Sequence, residues 1–290
     1  MISVVVCSIN KSVRAAFAEQ LQRTIGTTYE LILVENDIKK LPIAAAYNQA
    51  AMTATYPYLC FVHEDVTFHT AGWGKDLVQR LEEKKEAGII GVAGATLKTR
   101  NPSPWWITHE DPLAAGYRRM HYIQSGAEQS VYGDHDTVFD EVICLDGFFL
   151  VCSKSVWEMT KFDERILTDF HFYDLDISLA AHAKGLKNYV YKGCWIEHHS
   201  TGTFNEGWVR SAESFHKKWR PQLPAAVTAV PAGDWTSLEK LALVDYIHTL
   251  IRLGYMRKAL GYIARLLTKY KYGPGDGQVI KHYIRRLIRL

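Results

Sequence analysis

The chain opens on short apolar blocks separated by mixed ones. Ile2 to Ile9 (ISVVVCSI) and Leu31 to Val34 (LILV) have the length and composition of buried strands. Between them, Ser12 to Thr24 sets Val13, Ala16, Phe17, Gln20 and Leu21 along one helical side, with Ser12 as a candidate N-cap. Strand, helix and strand at this spacing predict the start of a parallel sheet. A helix is expected over Pro42 to Thr53, with Pro42 in its first turn. Tyr58 to Val62 (YLCFV) predicts a third strand, running into His63-Glu64-Asp65. A charged helix over Gly72 to Lys85 and a buried strand over Gly88 to Ala95 follow.

Residues 99–140 break this rhythm. They hold Pro102, Pro104, Pro112 and the pair Trp105-Trp106, and read as long loops of the kind that carry function. Strand character returns over Val142 to Val151, then short helices over Ser153 to Thr160 and Asp174 to Lys184, the latter ended by Gly185. Edge-like strands over Asn188 to Tyr191 and Cys194 to Ile196 lead into Glu197-His198-His199. Pro221, Pro224 and Pro231 mark a linker. Three apolar helix faces come last: Leu238-Leu241-Val244-Ile251, Met256-Leu260-Ile263-Leu267, and Ile280-Tyr283-Ile284-Leu287. The expected division is a domain over 1–220, a linker over 221–236 and a helical extension over 237–290.

Composition narrows the class. Of 290 residues, 48% are hydrophobic and 22% charged, enough for a real core. No apolar run reaches the ~18 residues of a membrane span. The N-terminus lacks a basic n-region, so no signal peptide is expected. Five cysteines without a C-x-x-C pair argue against a disulfide framework or a cysteine zinc site and for a reducing compartment. The net charge of +3 hides an asymmetry: residues 252–290 hold ten Lys/Arg against one acid, Asp276. An acidic body with a basic tail is not the footprint of a nucleic-acid-binding protein. It suits a tail on an anionic membrane leaflet, with packing on the body or on a partner subunit as the alternatives.

Four polar clusters follow directly on strands: Ser8-Ile9-Asn10, Glu35-Asn36-Asp37, His63-Glu64-Asp65 and Glu197-His198-His199. A fifth, Tyr173-Asp174-Leu175-Asp176, opens a helix. In open α/β sheets ligands sit at the carboxyl ends of strands. Acids gathered there repel one another unless a cation or ligand compensates.

In order and spacing, these segments resemble the family 2 glycosyltransferases of the GT-A fold. VVVCSINKS resembles that family's opening strand and LILVEND its second strand with a terminal acidic pair. AAAYNQAAMTATYPYLCFVHEDV resembles its helix with an Asn and the strand leading to a DxD-like element. FDERILTDFHFYDLDISLAAHAKG and CWIEHHSTGT resemble its later base-bearing and histidine-bearing stretches. DGFFLV and FHFYDLD are closest to a bacterial surface-polysaccharide subgroup. The likeness spans about residues 1–205. The implied fold is an α/β GT-A, mostly parallel sheet flanked by helices, with a C-terminal helical extension.

The implied activity is inverting transfer of a hexosyl or N-acetylhexosaminyl group. The donor would be a nucleotide-diphosphate sugar, most often UDP-linked, and the acceptor a hydroxyl of a glycan or lipid-linked chain. Mn²⁺ or Mg²⁺ would neutralise the departing diphosphate. Asp65 is then the carboxylate ligand, His198 or His199 the imidazole ligand, and Glu64 a ribose or second-metal contact. Cys7, Ile9, Asn10, Glu35, Asn36 and Asn48 fall around the nucleotide. Asp146 and Gly147 fall at the substrate, and Trp105 and Trp106 either stack on an acceptor sugar or fill the core. Asp174 is the implied base, with Asp176 as structural support. At His63 an Asp is common in the family, and before Asp174 an acid is common where Tyr173 stands. Those two departures leave open a non-catalytic nucleotide-sugar or glycan-binding module with a decayed site. A nucleotidyltransferase is disfavoured because SINKSVR lacks a glycine-rich loop. The implied location is the cytoplasm, at most peripheral on the inner membrane face.

Overall fold

The computed structural model describes the chain except residues 109–110, 127–128, 134–135, 272 and 289–290, so Arg289 of the basic tail lies outside the described residues. The first half runs β1 (Ile2–Ser8), α1 (Arg14–Thr24), β2 (Tyr29–Glu35), α2 (Asn36–Lys39), α3 (Ile43–Thr53), β3 (Tyr58–His63), β4 (Val66–Phe68), α4 (Trp73–Glu83), β5 (Ala87–Gly91), β6 (Ala93–Ala95) and β7 (Leu97–Lys98). Then come α5 (Pro112–Gly116), β8 (Arg118–Gln124), β9 (Gln129–Tyr132), β10 (Phe139–Val142), β11 (Cys144–Leu145), β12 (Phe149–Ser153), α6 (Lys154–Thr160) and α7 (Tyr173–Ala183). The chain closes with β13 (Lys187–Tyr191), β14 (Ile196–His198), α8 (Glu206–Trp219), β15 (Ala225–Ala226), α9 (Ala232–Arg252), α10 (Met256–Lys269) and α11 (Pro274–Ile288).

The main sheet has the order β10-β13-β5-β12-β3-β1-β2. Strands β1, β2, β3, β5 and β13 point one way, and β10 and β12 run against them. The register pairs Ser8 with Glu35 and Cys7 with His63, so the polar ends of β1, β2 and β3 come out at one edge. Because β12 is antiparallel to β3, the turn before it, Asp146-Gly147-Phe148, is delivered to that same edge, where the His63 N–H donates to the Phe148 carbonyl at 3.0 Å. A second sheet, β11-β6-β8-β14-β4, lays His198 opposite Val66, one residue from Asp65. This is a mixed α/β architecture with a central sheet flanked by helices, as expected.

Three expectations need correction. Residues 99–140 are loop broken by more regular structure than expected: they contain α5, β8, β9 and the start of β10, whose side chains are too mixed for a period-2 signal. The single strand expected over Val142 to Val151 is three, broken by the Asp146-Gly147 turn. Helix α8, capped by the Asn205 carboxamide accepting the Trp208 N–H at 2.9 Å, falls in a stretch where no element was expected.

The C-terminal helices dock on the sheet-bearing part of the chain. Leu238 and Ala242 of α9 bury against Leu97, Ile107 and Ala114. The Glu239 carboxylate accepts the Arg100 and Asn101 N–H groups at 2.6 and 2.9 Å. Beside it, Lys98 is fully buried, its Nζ donating to Ser103 O, Ser103 Oγ and His216 Nε2 at 3.0, 2.6 and 3.1 Å, and burial pulls its pKa down to about 8. The proline-rich linker is a wrapping arm, since Ala225 and Ala226 pair with Lys98 and Leu97. In α10 the buried face is Ala259-Ile263-Leu266, one residue off the expected stripe, which leaves Leu260 and Leu267 exposed.

Candidate functional site

The loop after β1 is tied down by a carboxylate rather than offering one. Glu64 accepts the Ser8 hydroxyl at 2.5 Å and the Ile9 and Asn10 N–H groups at 3.1 Å. The carboxylate is thus engaged with the loop. The Asn10 side chain accepts from Ser12 N at 3.1 Å and Ser12 Oγ at 2.7 Å, so Asn10 and not Ser12 caps the following turn. Arg14 was not singled out from the sequence, yet it donates to Ser8 Oγ at 2.9 Å and pairs with Glu35 at 2.7 Å and with Asp37. Asn36 is a turn lock, its amide exchanging hydrogen bonds with Leu41 N and O at 2.8 and 2.9 Å. Cys7 packs beneath this edge, and burial first, then the Glu64 charge, push its thiol up to about 11.

Asn48 is engaged inside the fold. Its carbonyl accepts Trp157 Nε1 and Phe162 N at 3.2 Å, and its amide donates to Phe162 O at 2.8 Å and to Glu164 at 3.1 Å. With both ends of the amide taken up inside the fold, Asn48 anchors α3 to the 157–164 segment.

Next to this loop, His63, Asp65 and His198 converge, one nitrogen or oxygen from each lying within 4.8 Å of the others. The closest approaches are His198 Nε2 to Asp65 Oδ2 at 3.6 Å and His63 Nδ1 to Asp65 Oδ1 at 3.9 Å. Ligand atoms about 2.1 Å from a shared cation stand about 3–4 Å apart, so these three side chains fit one. Burial first, then the neighbouring His198, bring His63 down to about 4, which keeps its imidazole neutral as a metal ligand must be. Burial raises the Asp65 carboxyl, but hydrogen bonding, first of all from Ser200, holds it below its usual range. The His198 ring stacks on Phe148 at 4.5 Å. His199 faces elsewhere, with Nε2 on Thr67 Oγ1 at 2.8 Å and Nδ1 3.7 Å from Glu197. Of the two histidines, His198 brings its imidazole to the Asp65 carboxylate, while His199 meets Asp65 through its backbone N–H, 3.0 Å from the Asp65 carbonyl.

A second acidic pair adjoins this group. Asp146 is half-buried, and its carboxylate accepts Trp105 Nε1 at 2.6 Å. Asp174, in the first turn of α7, is buried beside it; desolvation first, then the Asp146 charge, push its carboxyl up to about 8. Two interacting carboxyls whose pKa values are driven up are a device for acid–base work near neutral pH. Gly147 between them has no room for a side chain, because a Cβ would collide with the Tyr173 ring and hydroxyl. Trp105 is thus a buried prop for Asp146, while Trp106 packs edge-on against Phe204 at 6.0 Å.

Asp176 anchors the helix that carries Asp174. It accepts Trp219 Nε1 at 2.7 Å and pairs with Lys218 at 2.8 Å, with its own side chain fully buried. Asp176→Ala would leave the indole N–H without its acceptor and Lys218 with Asp163 as its remaining partner at 3.0 Å, and is expected to cost about 3 kcal/mol in urea unfolding, with Asp176→Asn costing less.

The model of a glycosyltransferase-like family matches residues 3–219. Among solved structures, the chain is similar to A197 from STIV (12% identity, TM-score 0.38, 69% of this chain and 86% of that one). It is also similar to GalNAc-T7 with UDP, GalNAc and Mn²⁺ (10% identity, TM-score 0.49, 99% of this chain and 55% of that one). A third is S. aureus TarS 1–349 (11% identity, TM-score 0.48, 98% of this chain and 80% of that one). No curated protein sequence matches the chain.

Proposed function

The chain belongs to the glycosyltransferase-like family whose model covers most of its length, and we propose that it moves a hexosyl or N-acetylhexosaminyl group from a UDP-sugar to a glycan or lipid-linked hydroxyl, with inversion and a divalent cation. The observation that carries this reading is the adjacency of two devices at one sheet edge. One is a His-Asp-His group fit for a cation. The other is the Asp146–Asp174 pair, with Asp174 raised to about 8.

Each residue has a task in that chemistry. Asp65 and His198 would hold a divalent cation, which when bound would supply positive charge against the departing diphosphate. Asp174 takes the proton of the acceptor hydroxyl as its oxygen bonds to the anomeric carbon. The bond from that carbon to the diphosphate breaks on the opposite face, which inverts the centre. Asp146, held by Trp105, keeps the Asp174 carboxyl basic enough for the task. Arg14 and Glu64 hold the Ser8-Ile9-Asn10 loop rigid at the edge where the nucleotide would lie. The same site without catalysis, a decayed binding module, rested on His63 and Tyr173; their contact at 2.7 Å is a built interaction and favours the catalytic reading. The test is a panel of nucleotide sugars, scored for thermal shift, transfer and hydrolysis with and without Mn²⁺. If the panel gives neither shift nor turnover in any condition, the reading fails.

Membrane contact belongs to the same proposal. Among the described residues no helix is long and apolar enough to cross a membrane. Helix α11 packs through Val279 and pairs Asp276 with Lys240 at 2.9 Å, yet leaves Ile284, Leu287 and Ile288 exposed among Lys281 and Arg285. Exposed apolar side chains beside basic ones suit an anionic leaflet. The full chain is expected to co-sediment with phosphatidylserine vesicles at low salt and less at physiological salt. Leu287→Gln with Ile288→Gln should weaken this binding several-fold; equal binding by the double variant removes the membrane role.

A further inference from the structure

The Tyr173 hydroxyl has one proton and two partners. His63 Nε2 lies 2.7 Å away and the Gly147 carbonyl oxygen 3.1 Å away. A carbonyl oxygen only accepts, so the phenolic proton goes to Gly147 and a hydroxyl lone pair faces His63. Both contacts are hydrogen bonds in one assignment alone, with the His63 proton on Nε2. The lone pair of Nδ1 is then left on the side of Asp65, 3.9 Å from Oδ1. The hydroxyl has little freedom to turn elsewhere. The Tyr173 ring is buried against Tyr47 and Phe162, and Gly147 meets it with a backbone that tolerates no Cβ.

We propose that His63 binds the divalent cation through Nδ1, as a third protein ligand beside Asp65 and His198, and that Tyr173 is the positioning residue that holds His63 in the required tautomer. This rests on the cation reading above and adds the donor set, two imidazoles and one carboxylate. Imidazole suits softer divalent ions better than Mg²⁺, which prefers oxygen and holds its waters, so the set favours Mn²⁺ over Mg²⁺. Outer partners that orient a ligating histidine are worth about 10–100-fold in metal affinity. The two residues lie 110 positions apart in the sequence and meet only through the fold.

Two measurements on the full chain test this without assaying turnover. In metal-free, ¹⁵N-labelled protein, long-range ¹H–¹⁵N correlation is expected to show His63 protonated at Nε2, and Tyr173→Phe to lose that preference. Electron paramagnetic resonance of free Mn²⁺, titrated with UDP present, is expected to show tighter binding of Mn²⁺ than of competing Mg²⁺. Tyr173→Phe should weaken Mn²⁺ by about 10–100-fold. His63→Gln keeps a donor near the Nε2 position but removes Nδ1, and should weaken it at least as much. Gly147→Ala keeps both side chains but displaces the hydroxyl, so it should reproduce the loss if Tyr173→Phe fails to fold. Wild-type affinity in both His63→Gln and the folded Tyr173 or Gly147 variant overturns this proposal and leaves the cation reading standing. A wild-type protein that binds no Mn²⁺ with UDP overturns the cation reading and this one with it. A proton found on His63 Nδ1 in the metal-free protein overturns the tautomer assignment in either case.

Discussion

Asp174→Asn is expected to cut glycosyl transfer by about 10²–10⁴-fold while donor affinity stays within a few-fold of wild type. The substitution keeps shape and hydrogen bonding but cannot take a proton, so it separates a base from a mere helix cap. Thermal stability supplies a second readout of opposite sign. The folded Asp174 carboxyl is raised to about 8, against an unfolded value near the ordinary 3.8. The folded state therefore holds the proton more tightly, and the group withdraws stability as pH rises from about 4 towards 8. Asn carries no such charge, so Asp174→Asn should melt higher than wild type at pH 8 and close to it at pH 4. Activity lost with stability gained is the signature of a group strained for chemistry. Transfer should rise with pH through an apparent value that belongs to the Asp146–Asp174 pair and lies above the usual carboxylate range. Transfer by Asp174→Asn within a few-fold of wild type would give the role to another acid.

Much of the scaffold is legible in the sequence because it depends on local pattern. The apolar runs of β1, β2 and β3 end in polar clusters, and parallel pairing in near-equal register brings those ends to one edge. Asp65 and Asp174 stand out because each follows a clear element boundary. What pattern cannot supply is partnership over long separations. Glu64 lies 56 residues from Ser8, and nothing local says that its carboxylate is consumed by that loop. Asn48 looks like a free amide on a helix until the 157–164 segment closes over it. His63 and Tyr173 each read alone as departures, and acquire meaning only when paired. The misplaced face of α10 has a different cause: Leu260, Ile263 and Leu267 share a stripe as good as Ala259, Ile263 and Leu266, and docking on α9 selects the smaller residue at the contact.

Asp65→Ala is expected to abolish the cation dependence of nucleotide-diphosphate binding. Asp65 is the one carboxylate among the three converging side chains, and its two oxygens face both imidazoles, at 3.6 and 3.9 Å. Mn²⁺ and Mg²⁺ are hard ions that lean on anionic oxygen. With the carboxylate gone, two neutral imidazoles carry no charge to offset the dehydration of the ion, and the diphosphate loses its bridge to the protein. In wild type, UDP with Mn²⁺ at about 100 times its Kd should stabilise the fold by about 2.7 kcal/mol, and UDP alone by much less. In Asp65→Ala the two shifts should coincide, and Mn²⁺ affinity should fall by about 100-fold or more, a larger loss than removal of an orienting partner such as Tyr173. Fold loss is not the expected route, because Asp65 is only partly buried and its strand neighbours Val66 and Phe68 keep their packing. A variant that melts as wild type does, and still shows a larger shift with Mn²⁺ than without it, would show that the cation is held elsewhere. The Asp146–Asp174 pair, close enough to interact with His198, would then be the next candidate for its ligands.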